Sequence, residues 1–186
     1  MLRIAVITSN RAPGLEDLRR HPLRGSLFEI VGVLNRRPPK DKSLREWYDG
    51  ETVDLLQKFE PDIVVLLGYL FVVSRPLLEA FPDRILNVHD GVQKYPGLHA
   101  TRNAIIAGEI ETRSIVHIVT KDLDRGPVLA QSEPLHVAPF VHHAVASGEM
   151  DIVRAYAYAH REWMMRCVWG ELIVEAFINV LEMVPA

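Results

Sequence analysis

Residues 63–89 read IVVLLGYLFVVSRPLLEAFPDRILNVH. Ile63 to Leu67 are all apolar, Gly68 interrupts the run, Pro76 opens a short helical segment expected over 75–81, and residues 85–89 resume a strand. A strand that is apolar at every position is one buried on both faces. That pattern belongs to a parallel sheet covered by helices on each side.

The same alternation extends in both directions. Upstream, residues 3–8 predict a first buried strand, followed by the loop 9–14 and a short helix through Leu18. Residues 28–34 predict a second strand, closed by Arg36-Arg37-Pro38-Pro39, and residues 51–59 have helical spacing with Val53, Leu55, Leu56 and Phe59 apolar. Downstream come a helix over 101–107 and strands over 114–120 and 128–135. From about Asp151 to Glu182 the pattern is helical and rich in apolar residues, with Glu171, Glu175, Asn179 and Glu182 forming one polar stripe. Gly170 is a candidate break in that helix. The fold class expected is α/β, a doubly wound and mostly parallel sheet with a long C-terminal helix, in a single domain over residues 1–186.

Composition restricts the function. An apolar share of 48% and a charged share of 24% suit an ordinary globular domain. The longest apolar stretch, residues 63–73, is far short of the ~20 needed to span a bilayer. Cys167 is the only cysteine, so no internal disulfide forms, and the chain opens without the pattern of a signal peptide. The cytoplasm is the compartment expected. The net charge of −3 argues against a general nucleic-acid binder. Within it, residues 1–45 hold ten Lys/Arg against four Asp/Glu, a basic segment able to face an anionic substrate. No G-x-G-x-x-G follows the first strand, which excludes a dinucleotide-binding reading.

In such a sheet ligands bind beyond the carboxyl ends of the strands. The segments 9–14, 68–74 and 87–91 therefore share one rim. Asn87 and His89, two residues apart on a strand, project from the same face. An amide donor beside an imidazole can clamp a developing oxyanion. Asp124, in the turn Asp122-Leu123-Asp124-Arg125-Gly126-Pro127, is a carboxylate that could orient the imidazole. His136, His142 and His143 lack the spacing of metal ligands, and no metal is expected. Cys167, Trp163, Trp169 and Phe177 are expected to pack in the core. Trp163, Met164, Val168, Trp169, Leu172, Ile173, Phe177, Ile178 and Leu181 spread around much of the last helix, more than a small domain covers, so a C₂ homodimer is expected.

The order and spacing of Asn87-Val88-His89, Tyr95-Pro96-Gly97-Leu98-His99, His117-Ile118-Val119-Thr120 and Leu123-Asp124-Arg125-Gly126-Pro127 resemble the formyltransferase family, and within it the glycinamide ribonucleotide enzymes. The likeness reaches upstream to residues 61–69 and, more faintly, downstream to the helix around His160. It implies the Rossmann-like formyltransferase fold and a folate-dependent N-formyltransferase, which moves a formyl group from the cosubstrate 10-formyltetrahydrofolate to a small-molecule amine. It further implies that Asn87, His89 and Asp124 are catalytic. The folate would lie between the loops 70–73 and 119–122, with Leu70, Val72, Val73, Val119, Thr120 and Asp122 as contacts. Ser9, Asn10 and Arg11 would meet the acceptor. Alternatives are hydrolysis of formyltetrahydrofolate and a catalytically idle folate-binding module.

Departures from the family bear on the acceptor. The loop after the first strand reads Thr8-Ser9-Asn10-Arg11-Ala12-Pro13-Gly14, where glycinamide ribonucleotide enzymes have a glycine-rich phosphate cradle, and Pro13 has no N–H to offer. Ala159 precedes His160 where the family has a glutamate, and Tyr156 replaces an amide. Phe71 stands in place of a basic residue and Asp90-Gly91 in place of Pro-Ser. An amine other than glycinamide ribonucleotide is the acceptor expected.

Overall fold

The structure, a computed structural model, describes residues 1–183. Six strands form the main sheet: β1 (Leu2–Thr8), β2 (Phe28–Asn35), β3 (Ile63–Leu66), β4 (Ile85–His89), β6 (Ile115–Ile118) and β7 (Val128–Gln131), in the order β2-β1-β3-β4-β6-β7. The first four run parallel; β6 and β7 are antiparallel additions on the β4 side. A two-stranded ribbon, β5 (Glu111–Thr112) with β8 (Leu135–His136), stands apart. The single strand expected over 128–135 is thus divided. Pro134, which cannot donate to a ladder, lies at the break.

Alternation along the strands sends side chains to two cores. Ile4, Val6, Val65, Leu86 and Val88 face the C-terminal helix, while Ala5, Ile7, Val64, Leu66 and Ile85 face α2 (Arg45–Gln57) and α3 (Arg75–Ala80). Both faces are dry, the physical reason these strands read as unbroken apolar runs. α2 starts six residues earlier than its apolar spacing suggested. α1 (Leu15–Arg20) and α4 (Ala100–Ile106) follow β1 and β4. The short α5 (Pro139–Ala146), with Pro139 in its first turn, was not anticipated; it packs with α4 and the last helix through Ile105, Val141, Ala144 and Val153.

That last helix, α6 (Met150–Met183), is continuous. Gly170 does not break it. A Cβ there would lie 2.7 Å from Asp17 Cβ, so the glycine exists to let α1 approach. Trp169, Leu172, Ile173, Val174, Ala176 and Phe177 are all buried against the chain's own sheet, while Glu171, Glu175 and Glu182 keep the polar stripe in solvent. Of the side chains from which a dimer was expected, Met164, Trp169, Leu172, Ile173 and Phe177 are buried, while Trp163, Ile178 and Leu181 remain exposed. Two side chains expected in the core lie on the outer face instead: Trp163 is 59% exposed and Cys167 is exposed. Apolar identity alone does not tell which side of a helix meets the sheet.

Candidate active site

β4 ends at the rim where the parallel strands finish, and Asn87 and His89 leave it on one face with Ile85. The neighbouring antiparallel strand pairs Asn87 directly with His117. Asp124 arrives on the turn between β6 and β7. These four side chains form one cluster: Asn87 Nδ2 lies 3.2 Å from Asp124 Oδ1 and 3.2 Å from His117 Nε2, and His89 Nδ1 lies 3.6 Å from Asp124 Oδ2. His117 Nδ1 is 2.9 Å from the Ile118 carbonyl oxygen and donates to it, so in the neutral ring Nε2 accepts from Asn87. His89 Nε2 lies 3.0 Å from the Tyr95 carbonyl oxygen. Each nitrogen of His89 thus faces an acceptor, an arrangement that a doubly protonated ring satisfies at both ends.

The carboxylate is held by its loop. Asp124 has φ 53, the left-handed region that aspartate tolerates better than most residues, and Gly97 N donates to its Oδ2 at 2.7 Å. Burial acts to raise the Asp124 carboxyl. The His117 imidazole, the charge of His89 and the Gly97 N–H outweigh it, and the group stays ionised below its ordinary range. Two residues on, Gly126 lies so close to β6 that a Cβ would fall 1.8 Å from the Ile118 carbonyl oxygen. Its own carbonyl accepts from Gln93 Nε2 at 2.5 Å.

A cavity of about 270 Å³ opens onto this cluster. Of the side chains expected to meet folate, Leu70, Val72, Val73, Val119 and Thr120 line it, with Leu66, Leu98 and Leu123 completing apolar walls. Asp122 lies outside the lining and is exposed, bonded to Thr120 Oγ1 through its N–H at 3.3 Å. Among the described residues, the backbone groups of Phe71 and Val72 have no hydrogen-bond partner and remain free to read the polar edge of a flat heterocycle. A guanidinium does stand near Phe71, contributed by α2: Arg45 Cζ is 5.3 Å from the ring centroid.

Ser9, Asn10 and Arg11, expected to meet the acceptor, are each bonded within the chain. Ser9 is buried; its hydroxyl accepts from Leu70 N at 3.0 Å and donates to the Gly68 carbonyl at 3.2 Å, so it fastens two loops together. Asn10 is exposed and accepts from Arg37 through Oδ1. Arg11 makes a two-pronged pair with Glu162 of α6, Nη1 to Oε2 at 2.8 Å and Nη2 to Oε1. None of the three lines the cavity. Arg161 does line it, gripped through Nε by the buried Asp90, whose backbone carbonyl accepts from Thr101 Oγ1 at 2.7 Å. Sequence reading noted Asp90 only as a departure and passed over Arg161 and the role of His117. The spacing of Asp90 and Arg161, 71 residues apart, carries no local signal.

Residues 3–147 match the model of the family described as formyl transferase. Phosphoribosylglycinamide formyltransferase of Escherichia coli (strain K12) is 40% identical over 138 residues, covering 70% of this chain and 58% of the relative. Formyltetrahydrofolate deformylase of Bacillus subtilis (strain 168) is 27% identical over 132 residues, 70% of this chain and 41% of the relative. This chain thus spans less than two thirds of either relative's length. Among solved structures, phosphoribosylglycinamide formyltransferase from Bacillus halodurans superposes with a TM-score of 0.69 at 25% identity, over 97% of this chain and 95% of that one. Glycinamide ribonucleotide transformylase 1 from Symbiobacterium toebii gives 0.68 at 26% identity, over 92% and 88%.

Proposed function

The chain belongs to the formyl transferase family, and on that premise we propose that it transfers a formyl group from 10-formyltetrahydrofolate to an amine other than glycinamide ribonucleotide. The observation that carries the reading is the meeting of Asn87, His89 and Asp124, brought from two separate segments into contact at the mouth of one apolar cavity. A protein that only held folate would have no use for a buried carboxylate aimed at an imidazole.

In this reading the residues 70–73 and 119–120 hold the heterocycle of the donor by apolar walls and free backbone groups. The acceptor nitrogen attacks the formyl carbon, and negative charge gathers on the formyl oxygen. His89, by turning to that oxygen the Nδ1–H that Asp124 faces only at 3.6 Å, and Asn87, by giving up the N–H it directs at His117, donate to it. His117 and Asp124 fix the Asn87 amide between them, so its orientation is set before the substrate arrives. Asp124 balances the imidazolium of His89 and accepts, directly or through water, the proton that the amine gives up. The carbon–nitrogen bond to the folate then breaks, and its nitrogen takes a proton back.

Three features support a different acceptor. Pro13 removes an N–H from the loop that would cradle a ribose phosphate, Arg11 is bound to Glu162, and Ser9 is spent on Gly68 and Leu70. Incubation with 10-formyltetrahydrofolate and a panel of amines tests the whole reading, with folate turnover read by absorbance and the formylated product by mass spectrometry. Turnover with glycinamide ribonucleotide should fall below the ~10⁴ M⁻¹s⁻¹ of ordinary efficient enzymes. Efficiency above that removes the claim about the acceptor. Turnover that needs no amine turns the reading toward hydrolysis, the activity named for the Bacillus subtilis relative.

A further inference from the structure

The cavity that opens onto Asn87, His89 and Asp124 has two sides. Leu70, Val72, Val119 and Thr120 wall the side assigned to the folate, and Asp90, Leu98, Arg161 and Trp169 wall the other. On the formyl-transfer reading the donor fills the first side, so the amine reaches the formyl carbon from the second. Arg161 stands there as a divider. It lines this cavity and also a neighbouring cleft of about 330 Å³ between α4 and α6, to which Arg102 and Arg154 contribute; Asp90 and Leu98 are the other residues common to both linings.

The divider is held on two flanks. Asp90 is buried just past the end of β4 and accepts from Arg161 Nε. The Thr101 hydroxyl, bonded to the Asp90 carbonyl, lies 3.2 Å from the same carboxylate oxygen. Swinging the guanidinium aside would leave that carboxylate buried and uncompensated, so the side chain stays where Asp90 holds it. On the other flank Glu162 Oε1 lies 4.0 Å from Arg161 Nη1 and is itself gripped by Arg11 of the loop after β1. The Arg11 guanidinium, aided by the charges of Arg161 and Arg166, keeps the Glu162 carboxyl below its ordinary range. Arg11, Glu162, Arg161 and Asp90 thus form a row of alternating charge from the end of β1, across α6, to the end of β4. Arg11 and Glu162 lie outside the cavity lining, so the row begins at the cavity wall and continues behind it.

We propose that Arg161, fixed by Asp90, is the residue that sets the length of the acceptor, and that the acceptor is a short amine held wholly between the formyl group and this row of charges. A long arm on the amine would have to pass through the space of the guanidinium, whether into the neighbouring cleft or along α6 toward the loop after β1. The role is steric, and the Nε of Arg161 is already spent on Asp90. The inference rests on the formyl-transfer reading and adds to it a limit on acceptor size, placed on two residues whose side chains meet only in the folded chain.

Acceptor length is therefore the variable to test. Straight-chain primary amines from ethylamine to octylamine, with 10-formyltetrahydrofolate as donor and folate turnover as readout, are compared on the wild type, Arg161→Ala and Arg154→Ala. The wild type should lose kcat/KM as the chain lengthens. In Arg161→Ala the ratio of long-amine to short-amine kcat/KM should rise about tenfold or more, the scale on which a pocket discriminates by size. Arg154→Ala, which alters the neighbouring cleft alone, should keep the wild-type ratio. A wild type indifferent to length, or an unchanged ratio in Arg161→Ala, overturns the proposal while formyl transfer stands. No turnover with any amine, in the wild type and the variants alike, overturns the formyl-transfer reading, and the size limit falls with it. If Arg161→Ala fails to fold because Asp90 is left unpaired, the double variant Asp90→Asn with Arg161→Ala carries the same comparison with a neutral amide in that place.

Discussion

Replacing Gly126 with alanine should disable the site without touching a reacting group. A Cβ at 126 would sit 1.8 Å from Ile118 O, 2.9 Å from Ile118 C and 3.1 Å from Thr120 Cγ2. Two of those neighbours are backbone atoms of β6, which is tied on one edge to β4 and on the other to β7. The loop must therefore yield, by about 1.2 Å to reach the ~3 Å limit of real carbon–oxygen contacts, an overpacking that costs about 1–3 kcal/mol. Asp124 is two residues away and would move with it, away from Asn87 and from the Gly97 N–H. A misplacement of about 1 Å is enough to cost about 10²-fold in turnover. Gly108→Ala supplies the control. Its φ of +87 makes alanine strained by about 1 kcal/mol, but nothing lies within 4 Å of the new methyl, so stability falls slightly and turnover does not. The assay is folate turnover at saturating amine beside a thermal melt of each variant. Gly126→Ala with wild-type turnover and wild-type melting would refute the claim that this glycine sets the position of Asp124.

Asn87→Ala and His89→Ala should each lower turnover by about 10²–10³ with the melt little changed, and near-normal turnover in either would remove that residue from the oxyanion clamp. His160 sits in a directional chain: Ala138 N–H to the Tyr156 hydroxyl, that hydroxyl to Nδ1 at 3.2 Å, and Nε2–H to Thr112 Oγ1 at 2.7 Å. Burial holds its pKa below the ordinary 6.5, so the unfolded chain takes the proton first as pH falls. Its stabilising contribution is complete above pH 6.5 and is lost below it, down to the lowered folded value; chemical denaturation at stepped pH should show that loss in the wild type and not in His160→Gln. Trp163, Ile178 and Leu181 stay exposed on α6, so light scattering at micromolar concentration should read near twice the 21.1 kDa chain, and a mass near 21.1 kDa across dilution would remove the pairing expected from sequence.

Periodicity was enough for the sheet. Apolar runs at residues 63–67 and 85–86, alternating with helical spacing, place two-sided burial in the sequence itself, because a strand covered on both faces has no position left for a polar residue. Local spacing likewise put Asn87 beside His89, since strand period is a property of the backbone alone. The order of motifs, read as a family likeness, added Asp124. What lay beyond local spacing was decided by register and by packing. His117 meets Asn87 because β6 pairs with β4 at that residue and not one further on, and a slip of one residue would have turned it to the other face. The bonds of Ser9 to Gly68 and of Arg11 to Glu162 likewise lay beyond local spacing. Trp163 and Cys167 are apolar by type and exposed by the rotation of α6, which the buried Trp169 and Phe177 fix. Asp90 with Arg161, and the basic cleft beside them, join a strand end to a helix 71 residues later. Such charge pairs depend on the distance between atoms, and only the folded chain sets that distance.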